Sequence, residues 1–275
     1  MAPCETCCMN AERLRPFLQL PLSSLRSLRG VLTDIDDTLT RDGVIEPAAL
    51  RALNDLSRAG IPVVAITGRP SGWSEPFAMA WPLAAIVAEN GAVMLRRDGD
   101  SLKRDFTQDA ATRDTNFRRL QACAQAVLRQ VPGTTLATDS AGRLTDIAVD
   151  HSEFAQLDAA RIAAVLAVMR SHGLNATVSS IHVNGWIGTH SKWSAARWAV
   201  EQAVGVPFDV GQWLYVGDST NDQLMFEHIP VSVAVANIAR FLPDLHTLPA
   251  YVTPSERGAG FAEVAQRLLR SRGDG

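Results

Sequence analysis

The chain has 275 residues, 47% of them hydrophobic and 20% charged, and 26 basic against 29 acidic side chains leave a formal net charge of −3. This is the balance of a globular protein with a sizeable core, either one large domain or a core carrying an inserted second domain. It excludes a general electrostatic attraction to nucleic acid or to an anionic membrane. No apolar run reaches the length of a bilayer span. Arg13, Arg15 and Arg26 interrupt the short apolar stretches near the N-terminus, which argues against a secretory leader. The expected location is therefore the cytoplasm. Cys4, Cys7 and Cys8 crowd the first eight residues, while Cys123 stands alone in a helical stretch. "CETCC" reads either as half of a metal site or as a frayed tail with reactive thiols; no second Cys/His cluster of ligand spacing follows, which favours the tail. Residues 1–27 are expected to be that flexible tail.

Beyond the tail, strands and helices alternate. Val31–Thr33 is a short apolar strand. Glu46–Ala59 reads as a helix, with Pro47 in its first turn, Leu50, Leu53 and Leu56 along one side and Gly60 at its end. "IPVVAIT" (Ile61–Thr67) is a continuous apolar run rich in β-branched residues, as in a strand buried on both faces. "SGWSEPFAMAW" holds a short helix, and "AAIVAEN" (Ala84–Asn90) is another buried strand. This order predicts a parallel sheet covered by helices.

The pattern changes after about Leu95. The polar stretch from Arg96 to Asp114 reads as a connection with a hairpin signal at Asp98-Gly99. A helix (Thr115–Gln130) and two strand-like pieces, "TTLATDS" and "RLTDIAVDH", come next. A second helix (Ala155–His172) and two more pieces, "NATVSS" and "IHVNGWIG", then repeat the order. Helix–strand–strand twice over predicts an antiparallel sheet with helices on one face. From Ser191 the first pattern resumes, with a helix at Lys192–Val204, the strand "QWLYVGD", a short helix at Asn221–His228, the strands "VSVAVA" and "AYVT", and a last helix at Gly260–Arg270. The interruption places a core at 28–95 and 188–275 and an inserted domain at 96–187.

In open parallel sheets, ligands gather beyond the carboxyl ends of the strands. Here the first strand ends in Asp34-Ile35-Asp36-Asp37-Thr38 and the second in Thr67-Gly68-Arg69. Lys192 opens the helix after the insertion, and "WLYVG" ends in Asp218 with Asn221 and Asp222 in the next turn. Asp34 and Asp218, on neighbouring strand ends, make a hard oxygen site suited to Mg²⁺, and a divalent cation would make their crowding tolerable. A cation and a lysine together attract a phosphate dianion. An aspartate can attack its phosphorus to form an acyl phosphate, and a carboxyl two residues on can protonate the leaving alcohol and later activate water.

"DIDDT", "VVAITGR", the lone Lys192 and "GDSTND", in this order and on these elements, resemble the four motifs of the haloacid dehalogenase (HAD) superfamily. "ENGA" (Glu89–Ala92) and the insertion between the second and third motifs resemble its subclass IIB, which includes sucrose-phosphate, mannosyl-3-phosphoglycerate and trehalose-phosphate phosphatases. The resemblance covers about residues 29–271, and in the insertion it is one of topology alone. It implies an α/β fold, with a Rossmann-like parallel sheet core and an inserted α+β cap. It makes Asp34 the nucleophile and Asp36 the general acid/base, whose backbone carbonyl also reaches the Mg²⁺. Asp218 becomes a side-chain metal ligand, and Asp222 a ligand or the holder of a bound water. Thr67 would donate to a phosphate oxygen. Lys192 would orient Asp34 and offset phosphoryl charge, and Asn221 would steady Lys192 or the phosphate.

Other positions carry two readings each. Asp37 is either a supporting carboxylate or a solvated turn or helix cap. Thr38 caps its turn and touches phosphate, whereas Thr40 is structural. Gly68-Arg69-Pro70 is either a plain turn or, through Gly68 and Arg69, a lining of the substrate cleft. Asn90 is a turn residue first and a substrate contact second. In "SSIHVNGWIG", Ile181, Val183 and Ile187 share one face and His182, Asn184 and Trp186 the other. If the first face packs on helices, His182 and Asn184 are candidates for substrate recognition; otherwise theirs is a solvated outer face. Trp193 and Trp198 are read as packing residues, and His190 as a hinge.

The expected function is Mg²⁺-dependent hydrolysis of a small phosphorylated metabolite, most simply a sugar phosphate, with Mg²⁺ as cofactor and neither nucleic acid nor membrane as partner. A phosphomutase would share all four motifs. A phospho-ligand-binding module without turnover is the non-enzyme alternative, and the intact Asp34/Asp36 pair weighs against it. No feature of the sequence specifies an oligomeric state.

Overall fold

The structure is a computed structural model and describes residues 14–273. Cys4, Cys7 and Cys8 therefore lie outside the described residues. In chain order the elements begin with β1 (Arg15–Pro16), β2 (Gly30–Thr33), the hairpin β3 (Thr40–Arg41) and β4 (Val44–Ile45), α1 (Pro47–Arg58), β5 (Val63–Ile66) and α2 (Ser71–Ala80). They continue with β6 (Ala85–Ala88), β7 (Val93–Asp98), β8 (Ser101–Phe106), α3 (Ala110–Gln130), β9 (Thr135–Leu136), β10 (Asp146–Asp150), α4 (Ala159–Ser171), β11 (Asn175–Val178) and β12 (His182–Trp186). The last are α5 (Lys192–Ala199), β13 (Trp213–Gly217), α6 (Gln223–His228), β14 (Val231–Ala234), β15 (Tyr251–Val252) and α7 (Arg257–Gly273). Two compact units divide them. Among the described residues, the first holds 14–66, Trp81–Ala85 and 196–273; the second holds Thr67–Ala80 and Ile86–Ala195. The insertion we propose at 96–187 lies wholly within the second.

The first unit is built on parallel strands in the order β1-β15-β14-β13-β2-β5. β2, β5 and β13 are buried at every position, which is why they read as unbroken apolar runs. α1 and α7 pack together through residues such as Leu53, Leu56, Phe261 and Leu268. Residues 15–27, expected as tail, belong to this fold. β1 pairs with β15, and Phe17, Leu20, Leu25 and Leu28 are buried. The guanidinium groups of Arg267 and Arg272 donate to the carbonyls of Leu20 and Leu28. Phe17 and Leu25 sit in single-turn helices, which carry no period that sequence reading can detect.

The second unit has two sets of antiparallel strands. In the first, β6, β7 and β8 pair in order. The stretch from Arg96 onward, expected as a connection, is in large part strand, turning at Gly99, whose φ is +60°. Arg96, Arg97, Lys103 and Arg104 mask the apolar alternation there. The second sheet runs β11-β12-β10-β9. One of its faces packs on α3 and α4 through Ile147, Val149, Ala176 and Val183 against Leu120, Val127, Val165 and Met169. Gly185 is required there, because a Cβ would stand 2.8 Å from the sulfur of Met169. The other face carries His182, Asn184 and Trp186 opposite Asp150, Ala148 and Asp146. These β12 residues are all buried, so the reading of a solvated outer face fails.

Candidate functional site

β2 and β13 are neighbouring parallel strands with Thr33 opposite Val216, so the residues that follow them emerge side by side. The amide of Asp34 donates to the carbonyl of Val216 at 2.9 Å. Asp34, Asp218 and Asp222 are all buried, and one carboxylate oxygen from each lies within 4.8 Å of the others. Asp222 is fixed from three sides, because its carboxylate accepts the amides of Asp218 (2.9 Å) and Ser219 (3.1 Å) and the Tyr215 hydroxyl (2.5 Å). Gly217 leaves room for this: a Cβ there would fall 2.4 Å from an oxygen of Asp222.

Asp218 is held by one oxygen only. Its Oδ2 accepts from Asn237 Nδ2 at 3.0 Å and from Arg240 Nη2 at 3.4 Å, whereas its buried Oδ1 has no partner. Burial first, then the charges of Asp34, Asp222 and Asp37, push its pKa well above the usual carboxylate range, against the pull of Arg240. Crowded carboxylates with one bare oxygen are the donor set that a hard cation such as Mg²⁺ takes. The residues present therefore fit the metal.

The loop after β2 sorts the acidic trio. Asp36 is buried beside Asp34 in sequence. Asp37 has left-handed backbone, φ 55°, and its carboxylate accepts from Arg240 and Arg257, each at 2.7 Å. Burial alone would raise its pKa, but these two guanidinium groups outweigh burial and lower it. Asp37 thus ties its loop to two arginines and is no solvated turn carboxylate. Asn237 completes the bracket, with Nδ2 donating to the Asp37 carbonyl at 3.0 Å and Oδ1 accepting the Arg257 amide at 2.9 Å. Sequence reading passed over Asn237, Arg240 and Arg257. The available signal was position, since Asn237 lies just past the end of β14, another parallel strand of the same sheet. The Thr38 hydroxyl is buried without a partner, while Thr40 donates to the Ile35 carbonyl at 3.1 Å. Asn221 accepts from the Ser219 hydroxyl at 2.9 Å.

In the second unit, the Thr67 hydroxyl accepts the Arg69 amide at 3.0 Å and is fully buried. Arg69, expected either in a plain turn or as a lining of the substrate cleft, is engaged by Asp139 (3.2 Å) and Glu153 (2.7 Å) and stacks over Trp73 at 4.8 Å. Asn90, at φ 56°, donates to Asp146 at 3.2 Å. Glu89 accepts the amides of Ser71, Leu144 and Thr145 and the Thr145 hydroxyl. His182 Nε2 lies 2.9 Å from Glu153, and Lys192 is buried at the start of α5. Arg143, unnoticed in the sequence, pairs with Asp139 (3.0 Å) and Asp146 (2.9 Å) and donates to the Gly68 carbonyl at 3.0 Å. This network ties the Thr67–Ala80 segment to residues 139–153 within one unit.

Glu153 supplies a pH test of that network. Burial would raise its pKa, but hydrogen bonds from His182 and Arg69 and the Arg69 charge bring it down to about 2. A lowered carboxylate pKa stabilises the folded state above the ordinary value and loses that contribution as pH falls. Glu153→Gln is therefore expected to melt below the wild type at neutral pH. The gap should close as pH falls from about 4.5 toward 2, as followed by thermal denaturation.

A family model described as haloacid dehalogenase-like hydrolase matches residues 31–131. The phosphoglycolate phosphatase of Methanothermobacter thermautotrophicus is 27% identical over 258 residues, spanning 88% of this chain and 99% of that protein. A crystal structure from Thermoplasma acidophilum superposes with a TM-score of 0.66 at 18% identity, covering 88% of this chain and 98% of that one. The sucrose-phosphatase of Synechocystis, in complex with sucrose and phosphate, gives a TM-score of 0.63 at 18% identity over 88% of this chain and 98% of its own. The family match opens at β2, the strand that delivers Asp34, and the likeness runs along nearly the whole of each relative; the chain is similar to haloacid dehalogenase-like hydrolases over residues 31–131 and shares the fold of the solved sucrose-phosphatase.

Proposed function

We propose that this phosphatase is Mg²⁺-dependent and hydrolyses a small phosphorylated metabolite, a sugar phosphate, through an aspartyl phosphate on Asp34. The observation that carries the reading is the buried trio of Asp34, Asp218 and Asp222 with one Asp218 oxygen left bare. A carboxylate of Asp34 attacks phosphorus while the bond to the alcohol oxygen breaks, and Asp36 gives that oxygen its proton. Asp36, now a base, takes a proton from the water that attacks the acyl phosphate, so inorganic phosphate leaves and both carboxyl groups return to their first state. Thr67 and the Thr38 hydroxyl donate to phosphoryl oxygens. Lys192 orients Asp34 and offsets the charge on the transferring group. Asn221 steadies the phosphate side of the site. Asp34, Asp218, the Asp36 carbonyl and Asp222, directly or through water, would hold the Mg²⁺, which supplies charge neutralisation where the phosphate dianion meets the carboxylates.

A small metabolite in the cytoplasm is the setting we propose. Among the described residues no helix is long and apolar enough to cross a membrane. Release of inorganic phosphate from acetyl phosphate tests the reading: turnover should vanish with EDTA and return with added Mg²⁺. Full turnover in EDTA would overturn the metal assignment. Conversion of a hexose 1-phosphate to its isomer without free phosphate would make the enzyme a mutase instead.

A further inference from the structure

Asp36 stands between two residues whose backbones are fixed. On one side the carbonyl of Ile35 accepts the amides of Thr38 (3.2 Å), Leu39 (2.8 Å) and Thr40 (3.2 Å) and the Thr40 hydroxyl (3.1 Å). On the other side Asp37 is gripped at both ends. Its carbonyl accepts from Asn237 Nδ2 at 3.0 Å, and its carboxylate accepts from Arg240 and Arg257 at 2.7 Å each. These three holders come from just past β14 and from the start of α7, and all belong to the same unit as Asp36.

Two of the residues carry strained backbone. Asp37 has φ 55° and Arg257 φ 51°, the left-handed region that costs free energy in a residue with a Cβ. Glycine would reach it without that cost. The chain instead places an aspartate and an arginine there, and their side chains meet. Asn237 bonds the backbone of both, donating to the Asp37 carbonyl and accepting the Arg257 amide. The two side chains are only 11% and 18% exposed, so theirs is not a screened surface pair of the weak kind. Conformations of this sort persist only where the surroundings over-determine them, and they gather at functional sites. The turn itself does not require the grip, because the Ile35 carbonyl and the β3-β4 hairpin already close it. What the grip adds is a fixed direction for the peptide that follows Asp36.

We infer that Asp37 is a positioning residue for Asp36: the Asp37–Arg257 pair, braced by Asn237 and Arg240, aims the Asp36 carboxyl at the leaving oxygen. The inference rests on the reading of Asp36 as the general acid/base. When the phosphorus–oxygen bond breaks, the oxygen keeps the electron pair and takes the proton from Asp36. A proton donor must stand within hydrogen-bond reach of that oxygen, and a misplacement of about 1 Å can cost about 100-fold in rate.

Kinetics with phenyl phosphate and 4-nitrophenyl phosphate at saturating Mg²⁺ test this. Nitrophenolate leaves readily without a proton and phenolate does not, so the ratio of the two kcat/KM values reads proton donation. Asp36→Asn should raise the preference for the nitrophenyl compound by at least about tenfold. Asp37→Gly allows the left-handed turn but removes the grip, and Arg257→Met leaves both partners of Asp218 in place. Each should shift the ratio the same way by at least about threefold, and Arg257→Lys should bring it back toward the wild type. Equal losses on both substrates, or no loss in Asp37→Gly, would overturn the inference while leaving the phosphatase reading intact. An unchanged ratio in Asp36→Asn would overturn the acid role of Asp36 and the inference with it. No release by the wild type from either compound or from acetyl phosphate would overturn the phosphatase reading itself. If the wild type accepts acetyl phosphate alone, crystal structures of the wild type and Asp37→Gly decide the matter. The Asp36 carboxylate should move by about 1 Å or more while β2 stays in place, and an unmoved carboxylate would overturn the inference.

Discussion

Asp34→Asn is expected to lower phosphate release by at least about 10³-fold while the protein stays folded. An amide of the same shape keeps the packing at the end of β2 but is a poor nucleophile, so the covalent step fails. The same change should raise the melting temperature in EDTA. Asp34, Asp218 and Asp222 bring three buried carboxylates within 4.8 Å, and the like charge of Asp34 is a main reason, after burial, that the Asp218 carboxyl resists ionisation. Neutralising one member relieves repulsion that a cation would otherwise offset. Loss of activity with gain of metal-free stability is the signature of a site strained by its own charge. Loss of both would instead mean that Asp34 holds the strand end together. Parallel rate and melting measurements separate the two.

Arg143→Leu carries the largest expected effect on stability. Its guanidinium is almost fully buried, pairs with Asp139 and Asp146, and donates to the Gly68 carbonyl. Burial alone would lower its pKa, but Asp146, Asp139 and Glu89 outweigh burial and raise it. Removing one partner of a buried ion pair leaves an uncompensated charge, with a loss of about 3 kcal/mol or more. The size should depend on pH. Burial lifts the Asp146 carboxyl to about 7 against the pull of Arg143, so on the acid side of that value a proton stands in for the missing cation. Urea unfolding should therefore show the full loss on the alkaline side and a smaller one toward pH 5. The double variant with Asp146→Asn should recover part of it. A loss that does not change with pH would mean that Asp146 is not the carboxylate Arg143 compensates.

The parts of this architecture legible in the sequence are local. β2, β5 and β13 announce themselves as apolar runs that end in Asp34, Thr67 and Asp218, and the helix–strand–strand order of the insertion survives with trimmed ends. β9 is the main shortening: the expected strand through Ser140 stops at Leu136, because Asp139 turns away to meet Arg69 and Arg143. What stayed hidden is made of distant pairs with no period. Asp37 meets Arg257 across 220 positions. Arg69 meets Glu153 across 84. Phe17 and Leu25 lie in single-turn helices and show their burial only in the folded chain, where β1 pairs with β15. Asn237 and Arg240 fall in none of the sequence motifs, although they hold Asp218.

The most direct test of the site is a crystal of the wild type grown with Mn²⁺ in place of Mg²⁺ and read by its anomalous scattering. The account predicts one strong peak within coordination distance of a carboxylate oxygen of Asp34 and of the Asp218 Oδ1 that is otherwise bare. A peak bound elsewhere, or none there at saturating Mn²⁺, would contradict it.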